Sequence, residues 1–457
     1  MLTIESLKER KQEVDDVTFF PRWKKNDPDE SQTYLAHTMN VLSLPFSHHG
    51  FGVKDDGLVI KTWIAFGLER LKRVRQLGFV KHPFMMSLDG AIEEGLCFNH
   101  SRGNHVLDVM SVLTLMAFNN RTKLEREHPA ALNLLRVAAL THDALTPAGG
   151  DTIKGIDPEA FDEDAAYYRL FAEMAGREER HALCRELGFN WPDAERTVIG
   201  HGLFGQLLDM ADKISYVGRD TRQFLDYCKG SYERKGYFPE YQRIAQLVKE
   251  DPWICGWWES VRIDQDRAWV EDSERLGRFL ELRLRMFRGL YYHGKRTMDI
   301  VLPVVVSGFL YKTGKLNRDK LLAMSDEQLE NVIAEFCGVD HLDLRKVAPA
   351  EMKMESFATE REARDREKQY IILGHPFVHM ENIRTPLKPS ANKFYVRRGK
   401  LPEAFSTVFP KKAKELEELC VIDKPFRLCH FTETCLPSSH RKDLLRYRRE
   451  QVGLDQA

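Results

Sequence analysis

Nothing in this 457-residue chain suggests paired cysteines. Its eight, Cys97, Cys184, Cys228, Cys255, Cys337, Cys420, Cys429 and Cys435, lie far apart and form no CxxC. In a chain of this length they read as reduced thiols, which excludes a disulfide scaffold or a zinc knuckle. Long apolar runs are also missing. Val301 to Leu310 is the longest, and Pro303, Ser307 and Gly308 interrupt it, far short of the ~20 residues that span a bilayer. The opening MLTIESLKERKQEVDD turns charged at once, without the apolar core of a secretory leader. No charge of either sign dominates: 68 Lys+Arg stand against 69 Asp+Glu, a net of −1. Such a chain has no global field for nucleic acid or membrane, so an anion must find a local cluster of cations. Internal repeats and low-complexity tracts are absent. A cytoplasmic protein is expected, with neither a membrane nor a nucleic-acid partner.

What is present is a core. The chain is 43% hydrophobic, enough to exclude wholesale disorder, and the texture divides it in three. Residues 1–58 are mixed and read as an N-terminal arm. Residues 59–337 carry helical periodicity and read as a bundle-like body. HVLDVMSVLTLMAF, 105–118, is apolar on most sides and should be a central helix, and PAALNLLRVAALTHDAL should be another. Helical stretches follow over 158–186, 194–228, 239–260, 264–292, 297–312 and 318–336, with Ser325 and Glu327/Gln328 as a cap. Residues 338–457 read as a small mixed α/β appendage. Strands are expected at QYIILGHPF (369–377), KFYVRRG (393–399) and PFRLCHFTE (425–433). SFATEREARDREKQ reads as a solvated helix or linker, and RKDLLRYRRE as a solvated helix. The fold class is therefore mostly α with a mixed α/β appendage.

Chemistry concentrates at His142-Asp143, where an apolar helix ends in two metal-competent side chains. His105 opens a second apolar helix, with Arg102 three residues before it. Asp212 lies in LLDMADKISYVGRD, a third buried helix. Three helices each offering an inward ligand is how bundles build metal sites. Two imidazoles and two carboxylates suit one divalent ion, Mn, Fe, Co, Ni or Zn, with Mg also admitted.

This H…HD…D order resembles the HD-domain metal phosphohydrolases, and the deoxynucleoside triphosphate triphosphohydrolase branch in particular. RLKRVRQLGF with CFNHSRGNHVLDV, ALTHDAL, ADKISYVGRD, and LRMFRGLYYHGKRTMDIV with LLAMSDEQL are similar, in order, to that branch's blocks. The resemblance implies an HD-domain helical bundle with His105, His142, Asp143 and Asp212 as metal ligands. It implies phosphate contacts from Arg102, Lys213 and Arg283. Tyr216 and Tyr291 would line the phosphate or sugar side, and Asp220 would accept from a sugar hydroxyl. Asp212, Tyr216 and Asp220, at i, i+4 and i+8, share one helix face. Where the triphosphohydrolases carry two further histidines, this chain has Thr146 and Asp151. HDA followed by Gly150-Asp151 instead resembles the HD-type deoxyribonucleoside 5′-monophosphatases, which also carry a Glu where Thr146 stands. Asp151 and His201 are the candidate catalytic acid/base groups. The expectation is a metal-dependent hydrolase of nucleotide phosphates, a homo-oligomer, with triphosphate favoured over monophosphate. The alternative is an HD pocket without turnover that binds a nucleotide as a regulatory or structural ligand. His48-His49, His375/His379 and Cys429-His430 read as structural, and Trp257-Trp258 as packing for the appendage or an interface.

Overall fold

The computed structural model describes residues 57–76, 78–79, 100–229, 235, 238, 240–264, 266–292, 294–342, 352–383, 393–399, 401–431 and 435–454. The N-terminal arm, apart from residues 57–58, lies outside these residues, as does Cys97. The fold is mostly helical, with a small mixed α/β part towards the C-terminus. Its principal helices are α1 (Arg102–Asn119), α2 (Ala131–Thr141), the single turn α3 (Asp151–Lys154) and α4 (Gly202–Cys228). After them come α5 (Ser273–Met286), α6 (Gly294–Lys312), α7 (Arg318–Ala323), α8 (Asp326–Cys337), α9 (Glu360–Ile372) and α10 (Ser438–Gln451). None of the described helices is long and apolar enough to cross a membrane.

The apolar run read at 105–118 is α1, and it is buried on nearly every side. Ser101 caps it by accepting the Asn104 N–H at 3.1 Å. Arg102 N–H donates to Val74 O at 2.8 Å, so α1 starts against the 3₁₀ turn Leu68–Arg73. A side chain at Gly103 would meet Lys72 N at 3.2 Å, hence the glycine at this approach. Burying Val106, Val109, Val112 and Leu113 gains roughly 1.5–3 kcal/mol apiece. That offsets the burial of Arg102, His105 and Asp108 in the same helix, provided each finds a partner. Asp108 finds Arg219, whose Nε donates to it at 2.6 Å. α2 and α4 both pack against α1 and touch each other, and this three-helix centre holds the site.

Among the described residues, seven short strands form two sheets. One has the order β1 (Val261–Asp264), β2 (Arg267–Val270), β5 (Tyr395–Arg398), β6 (Leu401–Ala404); β2 and β5 run parallel and the other pairs antiparallel. The other is fully antiparallel, β3 (Met352–Phe357), β7 (Phe426–Phe431), β4 (Val378–Asn382). Phe377, Phe394, Phe405, Leu416, Phe431 and Leu444 share one continuous core with the helical body, Tyr370, Ile371, Val378 and Leu428 form a second small cluster, and Trp257 touches both Phe279 and Phe394. The Trp257-Trp258 pair therefore packs against the appendage, as read. The described cysteines are free and, except for Cys420 and Cys435, buried.

Several sequence expectations are corrected. The span 158–186 is four short helices, because Asp157 and Asp162 each cap a new one. Residues 264–292 begin as strands β1 and β2 before the Asp272-capped α5. Helical residues 194–228 break at Gly200 and Gly202, both at positive φ. QYIIL is not a strand but the end of α9, whose capping box at Thr359 and Glu362 starts ten residues earlier. Ser325 and Gln328 form the expected capping box of α8.

Candidate metal centre

α1, α2 and α4 bring His105, His142, Asp143 and Asp212 to one point. The ligand-capable atoms of His105, His142 and Asp143 all lie within 4.8 Å of one another. Asp212 Oδ1 stands 3.0 Å from His105 Nε2 and 3.9 Å from His142 Nε2. Asp143 Oδ2 is 3.7 Å from each imidazole Nε2. Bonds of ~2.1 Å around one ion put neighbouring donors ~3–3.5 Å apart, close to these separations. His142 supplies the test of fit. Its Nδ1–H donates to Ala139 O at 2.8 Å, which leaves Nε2 as the lone-pair nitrogen. That Nε2 is buried and has no hydrogen-bond partner. A buried acceptor left this way costs free energy unless something occupies the point it faces, and a divalent cation suits the donor set.

Burial works against charge on Asp143, but Arg102, His142 and His105 outweigh it and hold the carboxyl well below the usual range. Asp212 is likewise shifted down: burial opposes its charge, and the His105 hydrogen bond prevails. Both are thus held ionised, the form in which a carboxylate can bind a cation.

Arg102 is buried between two carboxylates. Nη1 donates to Asp143 and Nη2 to Asp151, each at 2.8 Å. Its fork is thus engaged by protein, and a phosphate would have to share it. Asp151 opens α3, its side chain 55% exposed. Desolvation opposes its charge, yet Arg102 and Lys154 hold it ionised well below the ordinary range. The raised pKa that a general acid needs is therefore absent: Asp151 is an acceptor near neutral pH. Lys154 in turn bridges Asp151 and Glu163.

A cavity of about 290 Å³ opens beside the four side chains. Asp212, Tyr216 and Asp220 all line it, as their shared helix face requires, together with Tyr291, Gln76 and Phe287. Tyr216 accepts from Arg283 Nε at 2.6 Å, and burial pushes its hydroxyl up to about 12. Tyr291 lies in a π-helical turn, Phe287–Tyr291, a feature common at functional sites, and donates to Asp220. Asp220 is fully buried, which pushes its carboxyl up to about 7. His100 Nε2 faces it at 3.5 Å.

Three residues are placed elsewhere. Lys213 is buried and tied to Asp209, and neither it nor Arg283 is among the residues lining the cavity. Arg283 stacks on Phe287 at 4.7 Å and braces Tyr216 from behind. His201 is the exposed N-cap of α4. Eleven residues of helix put it about 16 Å from Asp212 along the axis, too far to reach the ion or serve as its acid. Sequence reasoning missed Gln76, Thr152, Lys154, Glu163 and Phe287. Only Lys154, one turn from Asp151, left a local signal.

No family model matches the chain, nor does any curated protein. Among solved structures, a phosphohydrolase from Bacteroides thetaiotaomicron VPI-5482 is 12% identical, with 83% of this chain and 97% of that one covered at a TM-score of 0.53. That likeness is one of fold. A hypothetical protein from Aquifex aeolicus is 14% identical, with 87% and 95% covered and a TM-score of 0.46.

Proposed function

We propose that this cavity hydrolyses a nucleotide phosphate ester with one divalent ion held by His105, His142, Asp143 and Asp212. The observation that carries the reading is the orphaned Nε2 of His142, clustered with the donors of His105 and Asp143 and 3.9 Å from Asp212 Oδ1. A fold shared with a phosphohydrolase supports it. When bound, such an ion polarises a phosphoryl oxygen and makes water more acidic. The chain's own residues do the rest. Arg102 fixes Asp143 and Asp151 relative to each other, and ionised Asp151 accepts from the attacking water and orients it. Tyr216, Phe287 and Tyr291 offer an aromatic wall to a base or sugar, and Asp220 a partner for a hydroxyl.

Size and charge favour a single phosphate. At about 290 Å³ the cavity sits at the small end of ligand sites, ~300–1,000 Å³. Among the described residues lining it, Arg102 is the sole Arg or Lys, against the ionised carboxylates of Asp143, Asp151 and Asp212. One divalent ion brings that wall to neutrality, which suits a monoester dianion better than a triphosphate. These features support a monophosphate ahead of the triphosphate expected from the sequence.

Mn²⁺- and Co²⁺-loaded protein, assayed against nucleoside mono- and triphosphates with product chromatography, tests this. Free phosphate from monoesters is expected. Tripolyphosphate would return the triphosphate reading, and tight binding without turnover would support a regulatory pocket. Asp212→Ala should lose both metal and turnover, Asp151→Asn turnover alone, and His201→Ala neither. Unchanged metal content in Asp212→Ala would refute the ligand set.

A further inference from the structure

Asp326 is an oddity away from the ligands. It is the first residue of α8, a place where a carboxylate ordinarily stands in water, yet it is 2% exposed. Helix capping does not require that burial. Ser325 already accepts the Gln328 N–H at 3.2 Å, and the Gln328 side chain accepts the Ser325 N–H at 2.8 Å. Asp326 instead accepts two backbone amides from distant segments: Gly149 N–H to Oδ1 at 2.7 Å and Arg75 N–H to Oδ2 at 2.8 Å.

Those two amides lead into two separate segments of the cavity lining. Gly149 and Gly150, both at positive φ, deliver Asp151 at the start of α3. Arg75 precedes Gln76, which also lines the cavity. The walls touch as bare backbone: a Cβ on Gly78 would stand 2.1 Å from Gly149 O. α7 adds a second grip on the same loop, Leu321 O accepting the Ala148 N–H at 2.9 Å. Arg75 is also held through its guanidinium, Nη1 donating to Glu330 at 2.6 Å.

We infer that Asp326 is a positioning residue, a clamp through which α8 sets the Gly149–Asp151 loop against the Arg75–Gln76 wall. The inference rests on the phosphohydrolase reading for its effect on turnover, but not for the clamp itself. Asp151 meets Arg102 at 2.8 Å only while Gly149 is held. Displacement of ~1 Å at a reacting centre can cost ~10²-fold in rate.

Amide hydrogen exchange on the full metal-loaded chain tests it. In the unaltered protein the Gly149 and Arg75 amides should be protected although neither belongs to a helix or strand. Exchange at the unstructured rate would overturn the clamp without any variant. Asp326→Asn keeps one acceptor and turns a donor towards the other N–H. Protection of those amides should fall at least tenfold, with bound metal and the amides of α1 and α4 unchanged. On whichever ester the chain cleaves, kcat should fall about 10²-fold with KM little moved. Ser325→Ala weakens the same helix end without touching either bond, and should leave Gly149 protection and kcat intact. Unaltered protection in Asp326→Asn, or the same losses from Ser325→Ala, would sink the proposal. Should no ester be cleaved, the exchange pattern still decides the clamp, so its failure and that of the phosphohydrolase reading are told apart.

Discussion

Replacing Arg102 by Met keeps most of the buried stem and removes the cation that joins Asp143 to Asp151. The two carboxylates are not equal. Asp143 is 7% exposed and cannot recover its lost partner from water, while Asp151 is 55% exposed and can. Breaking a buried pair from one side costs ~3–5 kcal/mol, and the Asp151 share is discounted for screening. About 3 kcal/mol is therefore expected from the metal-free protein. With an unfolding entropy of ~2.1 cal/mol/K per residue over the helical body, that lowers Tm by about 5 °C. A divalent ion beside Asp143 replaces the missing positive charge, so the deficit should shrink on loading. Mn²⁺ should thus raise the Tm of Arg102→Met by more than it raises that of the unaltered protein. Calorimetric melts and urea titrations, each with EDTA and with Mn²⁺, measure both quantities. A loss under ~1 kcal/mol in EDTA, or a metal-induced gain no larger than in the unaltered protein, would refute the reasoning. The pH signature has a definite sign. Asp143 is held below its ordinary pKa, so the stability from this pair is present above about pH 4 and lost as pH falls further.

Asp220 has the opposite sign. Its carboxyl is pushed up to about 7 by burial, so the folded chain keeps a proton that the unfolded chain releases between about pH 4 and 7. Stability should fall as pH rises through that window. Asp220→Asn should flatten the slope and gain up to roughly 4 kcal/mol near pH 8, read by urea titration; an unchanged slope would count against it. In the appendage, His430 is 1% exposed and neither ring nitrogen has a hydrogen-bond partner, while Tyr370 stacks on it at 3.6 Å. Burial, with His375 nearby, lowers its pKa, so its contribution is present above about pH 6.5 and lost as pH falls. His430→Phe keeps the stack and should abolish acid-induced proteolysis of the 352–454 region. Equal cleavage of both proteins at about pH 5.5 would contradict this.

Local pattern revealed those elements whose partners are local. α1, α2 and α4 were legible because their apolar residues recur at helical spacing and the helices pack mainly on one another. β1 and β2 were not. Val261, Ile263, Ala268 and Val270 are buried where β1 packs on α1 and β2 on α4, and β5, 125 residues further on from β2, continues their sheet; no window over 261–270 contains those partners. QYIIL misled for the converse reason. Tyr370 and Ile371 have strand-like chemistry, but with Ala363 and Glu367 they form the buried stripe of a helix already started at Thr359.

The site divides along the same line. The four converging side chains, His105, His142, Asp143 and Asp212, were legible because each helix carries its own polar group on an apolar face. What surrounds them was so only in part, since Glu163 and Asp326 acquire their meaning only across folded distance. Thr146 makes the point most sharply. Against the monophosphatase pattern, it stands where a glutamate is expected, and in sequence that is a loss. In space the Thr146 hydroxyl donates to Glu163, a carboxylate carried by another helix 17 residues on. Glu163 also grips Lys154, and Lys154 grips Asp151. The chain from Asp143 through Arg102, Asp151 and Lys154 to Glu163 alternates in sign at every step. Burial can sustain such a row only because each charge faces its opposite. A motif read residue by residue therefore misses what this loop holds: a carboxylate reaches Thr146 only through the fold.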